Sequence, residues 1–409
     1  MASSAPAWAT ELRGSAEETF ATLPALTGRE EAWRFTEPSA LALDGADTPA
    51  PGRVTQTTEP LGGDRAGRLQ FVDGAPAAPE LAADLPAGVV IGELSEALIT
   101  HEELVRERLL GLIGADDRPG ALNAARWQAG TFVYVPRGVE LTTPVEALLS
   151  ATGAQGHLAT RTLVVLDEGA KATVIDRFAS PDLPGTVQAS SAVELYVGPN
   201  AELEHLTVVE WGAGVHHHSI VRARAERDSR VRSVVVTIGG DVVRIEPTML
   251  IEGSGVDARA LGLYFAGGNQ HFEHRVEARH HAPQSYSNLL YKGAIQGTAH
   301  TVFYGNLIVP PGAPGTDAYQ TNRNLLLNNG ARAETIPFLE IETADVKCSH
   351  AGAVVQVDDQ HLFYLQARGI PEADAKRLVV MGFMQEVIEH VHLPELRAEL
   401  EAAVAAKLR

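Results

Sequence analysis

The chain has 409 residues, a formal net charge of −19 and a single cysteine. That length suits two or three domains or one large repetitive one, the acidity excludes non-specific binding to nucleic-acid phosphates, and one cysteine excludes an internal disulfide. No apolar run approaches the ~18 residues of a membrane span, and "MASSAPAWATELRG" lacks the basic start and apolar core of a secretory signal, so a reducing cytoplasm is expected.

The leading region, 1–120, has a mixed, mostly helical character. "TELRGSAEETFATL" (Thr10–Leu23) carries helix formers with Leu12, Phe20 and Leu23 in amphipathic spacing. "EEAWRFTEPSAL" (Glu30–Leu41) places Trp33 and Phe35 two apart and stops at Pro38. From Ala46 to Val90 the Pro, Gly, Ala and Asp content predicts loops and short strands. The stretch Ile99–Gly114 predicts a helix, with Thr100 and Glu103 as a capping box, Leu104, Leu109, Leu110 and Leu112 as its apolar side, and Gly114 as its stop.

From about Trp127 to Ile341 the texture changes. Clusters such as "RTLVVLDEGAKATVIDRF" and "SAVELYVGPNAELEHLTVVEW" repeat one template: an apolar strand, a short turn with Gly, Asn or Ala, then another strand. Helical periodicity is nearly absent over this span. The repeat is too uneven for a strict period, yet strands stacked in successive coils would bury one face on a shared axis. A jelly roll or cupin is the competing arrangement, but it rarely needs so much chain, so a β-helix is expected over 121–368. A helical region, 369–409, follows. Pro371 suits a first helical turn, Leu378, Val379, Phe383, Val387, Ile388 and Val391 form an apolar side, and Pro394 opens a last helix with Leu396, Leu400, Val404 and Leu408. Both helices need something to pack on, either the solenoid or another protein.

Fifteen histidines invite metal hypotheses. In a strand His216 and His218 share a face, resembling the HxH core of a cupin site. However, Glu210 stands where that motif wants Gly, and Arg222 and Ala223 where it wants Glu. Exposed solenoid histidines are the better expectation. His271, His274, His280 and His281 cluster without the HExxH spacing of a zinc protease. Asp358 and Asp359 read as surface charges on a turn. No GxSxG, SxxK or kinase set appears, and no GxxxxGK[ST] or GxGxxG follows a strand. There remains "IETADVKCSHAG" (Ile341–Gly352), with the lone Cys348 and His350 two positions on. In a strand both point to one face, about 7 Å apart. Lys347 and His350 would favour the thiolate. A metal reading needs ligands from a second chain, because one Cys and one His cannot complete a four-coordinate site.

"DVKCSHAGAVVQVDDQHLFYLQARGI", with "YKGAIQGTAHTVFYGNLIV" and "TDAYQTNRNLLLNNGARAETIPFLEI" before it, resembles the SufB/SufD family of the SUF iron–sulfur cluster assembly system. The resemblance is dense from Tyr291 to Glu386, diffuse through earlier strands, and reduced near the N-terminus to hints such as "EEAWRFT". It implies a right-handed parallel β-helix flanked by N-terminal and C-terminal helical regions. SufB carries a cysteine at the place of Leu365 and lacks one at that of Cys348, so both residues point to the SufD side. The resemblance further implies pairing with a SufB-like paralogue through the β-helix ends, and docking of a SufC-like ABC ATPase by the helices from Pro371 onward. His350 and Cys348 would form a metal half-site at the junction, with SufB supplying the remaining ligands to a nascent cluster. His350 is matched in both paralogues; Cys348 is a ligand, a relay or a partly buried thiol. A flavin accompanies the family complex, and no motif here marks its site. Self-pairing of the isolated chain is the alternative to the heterodimer. The chain itself would be a scaffold without catalysis. Ala351 stands where the family places Gly, which implies a different local turn. The rival reading is a metal-dependent solenoid or cupin-like enzyme using His216–His218 or His271–His281.

Overall fold

A computed structural model describes residues 5–56, 58–391 and 394–408, with the side chains of residues 395 and 400 outside the description. Leu400 of the expected last-helix face therefore lies outside the described side chains. From Ala129–Val135 to Val346–Gln356, successive strands alternate between two sheets, and each pairs in parallel with the strand two further along the chain. The result is a parallel β-solenoid, as expected, with helices at both ends. One sheet has eleven strands and the other nine.

Period-two alternation builds the interior. Ala172, Leu203, Val231 and Ala258 fall in register on successive strands, all buried in one apolar core. A recurring corner sets the coil length. Gly138, Gly169, Asn200, Asp228, Gly255, Gln284 and Gly315 all have positive φ and stand 27 to 31 residues apart. These are the small or polar turn residues of the sequence template, since left-handed backbone favours Gly, Asn and Asp. The unequal intervals explain why no strict period is readable.

The region before residue 120 contributes strands as well as helices. Gly67–Val72 extends the eleven-stranded sheet in parallel beside Val145–Ser150, and Val90–Glu93 closes the other sheet antiparallel to Ala129–Val135. Helix Ala7–Thr22 forms as expected and packs against helix Arg118–Arg126. The single helix expected over Ile99–Gly114 does not form. Two short helices, Leu94–Thr100 and Glu102–Arg106, break at His101 (φ −135°, ψ 40°). Thr100 ends the first helix, its hydroxyl donating to Glu96 O, and Glu93 is the actual cap. The reason is tertiary. The buried Glu194 carboxylate accepts from the amides of Leu110, Leu112 and Ile113, fixing them in a loop, while Leu110 takes φ +63°. Residues 31–41 form two 3-10 turns laid over the outside of the nine-stranded sheet, where Trp33 covers the Arg244 guanidinium at 3.8 Å.

Three helices close the chain: Asp359–Gln366, Glu372–Ile388 and Pro394–Lys407. The first begins ahead of the expected helical return, and Asp358 caps it through the Gln360 amide at 2.8 Å. The other two fold back on the solenoid. Val380, Met384, Val387, Ile388, Leu396 and Val404 pack on the outward-facing Leu206, Val234, Leu261, Leu263 and Phe265. Each such burial contributes roughly 1.5–3 kcal/mol. The buried stripe is shifted from the expected one: Val380 and Met384 face the sheet and Leu378 is 50% exposed. Among the described residues no helix is long and apolar enough to cross a membrane.

Candidate functional site

The C-terminal end of the solenoid is open. Arg332–Ile341 ends the nine-stranded sheet and Val346–Gln356 ends the eleven-stranded one; each pairs with a strand on one side only. The strands from Ala129–Val135 to Thr316–Leu326 are buried at most positions, whereas these two are mainly half-buried or exposed. Phe338, Ile341, Val354 and Val355 present apolar surface there, Val355 being 48% exposed. Val346–Gln356 is eleven residues long and lacks proline. A long edge without proline templates pairing with another chain, whereas Pro337 and the charged residues of Arg332–Ile341 protect the other edge in part.

Cys348 and His350 lie in this last strand, in register with the inward-facing Ala318 and Gln320. They share a face, as the strand reading expects. Cys348 packs on the edge of the solenoid core; His350 is exposed at the mouth. The altered turn implied by Ala351 is not found. The strand runs straight through Ala351, and a Cβ on Gly352 would meet the Thr335 methyl at 2.4 Å, so the two walls converge just beyond His350. The expected thiolate bias at Cys348 is also overturned. Burial pushes its thiol up, and the Asp317 carboxylate adds to that. Lys347 gives no offset because adjacent strand residues face opposite sides. Among the described residues no three His, Cys, Asp or Glu side chains converge as a metal set, so Cys348 and His350 are two ligand candidates.

A polar layer beneath the mouth went unread in the sequence. Gln320 Nε2 donates to Phe338 O at 2.7 Å, crossing from one wall to the other. Asn322 and Asn324, fully buried, bond each other, the Tyr264 hydroxyl and Thr335. The signal was present: in "TDAYQTNRNLL" the inward positions of the strand carry Gln320, Asn322 and Asn324 where apolar residues would be usual.

The histidine clusters lie elsewhere; His281 is exposed beside Glu252 at 3.7 Å, and the others are held by protein partners. His216 and His218 do share an outward face but are not exposed, because residues 31–41 cover them. His216 Nδ1 bonds Ala40 O at 2.6 Å, and His218 Nε2 bonds Glu246 at 2.9 Å. His217 points inward between Ser191 and Trp211. His271 bonds Thr36, His274 bonds Thr237, and His280 bonds Ser285 and Ser287. Burial pushes His217 and His274 down to about 3 and His271 and His280 down to about 4, so these rings are neutral near pH 7.

On the C-terminal helices, Phe363 (71% exposed), Tyr364 and Leu378 point away from the solenoid. The opposite side of helix Glu372–Ile388 is tied to the wall by Lys292, which donates to Phe383 O at 2.9 Å and pairs with Glu386.

Comparison with known proteins returns one family. A model described as the SufBD core domain of SUF-system FeS cluster assembly matches residues 149–383, and one for the SufBD N-terminal region matches 71–147. The chain is 40% identical over 304 residues to an iron–sulfur cluster assembly SufBD family protein of Mycobacterium tuberculosis, covering 71% of this chain and 74% of that one. A Mycobacterium leprae relative with the same description is 39% identical over 306 residues (71% and 75% covered). One from Staphylococcus epidermidis is 28% identical over 299 residues (73% and 64%).

Proposed function

The chain belongs to the SufB/SufD family of iron–sulfur cluster assembly proteins, and from that premise we propose that it is the SufD-type scaffold subunit, pairing with a SufB-like paralogue and docking a SufC-like ATPase in the cytoplasm. The observation that carries the reading is the open solenoid end, where two edge strands, each paired on one side only, meet around Cys348 and His350. Leu365 and Cys348 favour the SufD side. A paralogue continuing both sheets would cover the exposed Phe338, Ile341, Val354 and Val355 and bring further ligands to a nascent cluster, which is cargo here. His350, accessible and unburied, is the first ligand of this half. Cys348, with its thiol pushed up, becomes a ligand only as metal displaces its proton.

The ATPase is assigned to the region 369–409, where exposed Leu378 continues the surface begun by Phe363 and Tyr364. Helix Glu372–Ile388 is packed and bonded to the solenoid wall, so a force applied to it turns the solenoid with it. Nucleotide-driven closure of a paired ATPase would then twist one half of the junction against the other. In this reading the chain is a lever and half-site without catalysis of its own. The histidine-enzyme alternative is not favoured, because those rings already bond protein groups.

The test is an anaerobic affinity purification of the tagged chain from its native cell, identifying co-purified chains and assaying iron and acid-labile sulfide. A SufB-like paralogue and an ABC-type ATPase, retained with iron and sulfide, support the reading. A chain that emerges alone with metal and no sulfide overturns it. Self-pairing without the paralogue would assign the open edges to a homodimer.

A further inference from the structure

We propose that the solenoid interior carries a resident-water site built on Asp176. Asp176 points inward on strand Lys171–Ala179, between the core residues Val174 and Phe178, and is 3% exposed. A carboxylate taken so far from solvent must be compensated by hydrogen bonds. The structure supplies two: Thr162 Oγ1 to Oδ1 at 3.0 Å and His205 Nε2 to Oδ2 at 2.9 Å. An ionised carboxylate offers about four acceptor positions, so the pair leaves capacity over.

Two independent features of this layer ask for a further hydrogen-bonding molecule. On one side of Asp176 lies an internal cavity of about 10 Å³, lined by Thr131, Thr160, Thr162, Asp176 and Phe178 among others. That is the lower limit for one water, and in a lining that is otherwise mainly apolar the Thr131, Thr160, Thr162 and Asp176 side chains offer the two to four partners a buried water needs. On the other side, His205 Nδ1, Thr207 Oγ1 and Ser233 Oγ have no hydrogen-bond partner among the described residues, although all three side chains are at most 1% exposed. They form one layer. Thr207 stands in register with Asp176 and Ser233 with His205 on adjacent strands. Buried polar atoms left unpaired in this way mark ordered water in native proteins.

The assignment is therefore one water in the cavity, donating to Asp176 and held by the Thr131 and Thr160 hydroxyls, and a second linking His205 Nδ1 to Thr207 and Ser233. The ligand is a neutral, one-heavy-atom hydrogen-bonding molecule. A metal ion is disfavoured, since Asp176 and His205 are two ligands and no third His, Cys, Asp or Glu joins them among the described residues.

A high-resolution crystal structure of the full chain tests this directly. Density within hydrogen-bond distance of Asp176 and Thr131, and a second peak beside His205 Nδ1, are expected; an empty layer at either position, with well-ordered side chains around it, overturns the assignment. Water-oxygen magnetic relaxation gives a readout in solution. The double substitution Thr131→Val with Thr160→Val should remove one long-lived internal water from the wild-type count, and an unchanged count in the folded variant contradicts the cavity assignment. Neither result depends on cluster assembly.

Discussion

Replacing Glu194 tests how the N-terminal region is fixed to the solenoid. Its fully buried carboxylate pairs with the equally buried Arg161 at 2.6 Å and accepts from three loop amides at 2.9–3.1 Å. Arg161 in turn donates to Ile113 O, closing the network. Glu194→Ala leaves a buried guanidinium without its counter-charge, which costs about 3–5 kcal/mol. The three amides would add ~1–3 kcal/mol each if they stayed buried, but the loop can open to water and shed that part. The expected loss is therefore about 3–5 kcal/mol, with local opening of residues 108–114. Glu194→Gln keeps one acceptor oxygen, enough for the Leu112 and Ile113 amides, but loses the charge and sets an NH2 donor against the Leu110 amide and Arg161, so it should protect that part of the loop better than Glu194→Ala without restoring full stability. Urea unfolding gives the midpoint shift, and amide hydrogen exchange reads the loop. A loss under ~1 kcal/mol for Glu194→Ala, or unchanged protection at Leu112 and Ile113, would refute the reasoning.

Acid should destabilise the chain earlier than its carboxylates alone dictate. With His217 and His274 pushed down to about 3 and His280 to about 4, the unfolded chain takes up protons first as pH falls below about 6.5. Stability present above 6.5 is then lost toward pH 4, by roughly 2 kcal/mol per histidine at pH 5; a melting temperature flat from pH 7.5 to 5 would contradict this. Gly262→Ala places a Cβ 2.0 Å from the Tyr291 ring, and Gly293→Ala one 1.9 Å from Tyr264, so each should cost at least ~1–3 kcal/mol by overpacking, read from thermal melts. Lys407→Met removes bonds to Phe265 O and Gln270, both at 2.8 Å, and should raise hydrogen exchange in Pro394–Lys407 while leaving the solenoid strands protected. Cys348 should react with iodoacetamide more slowly at pH 7 than a free thiol and accelerate above pH 9; fast labelling at pH 7 would argue against a protonated, half-buried thiol.

The solenoid was legible because its two determinants are local. Alternation along each strand and a left-handed residue at each corner, such as Gly169 or Asn200, are both visible in the sequence. The placement of Cys348 and His350 on one strand face follows from the same rule. What could not be read depends on distant partners. The loop at Leu110–Ile113 is set by Glu194, more than eighty residues away in sequence. The histidines of "GVHHHS" are covered by Ala40 and Trp33, and no spacing rule links those segments. The shift from Leu378 to Val380 reflects which outward rows of the sheet are apolar, a property of Leu206, Val234 and Leu261 and not of the helix. The expected thiolate at Cys348 failed because the strand half-buries the thiol against the core edge, a tertiary effect, while Lys347 faces the other way.

The most direct measurement is the iron and sulfide content of the anaerobically purified complex carrying His350→Ala, beside the same complex carrying His216→Ala. The His350 variant should keep its partners and lose most of its iron and sulfide, while the His216 variant retains both. Full cluster content in the His350 variant, with loss in the His216 variant, would contradict a half-site at the open solenoid end.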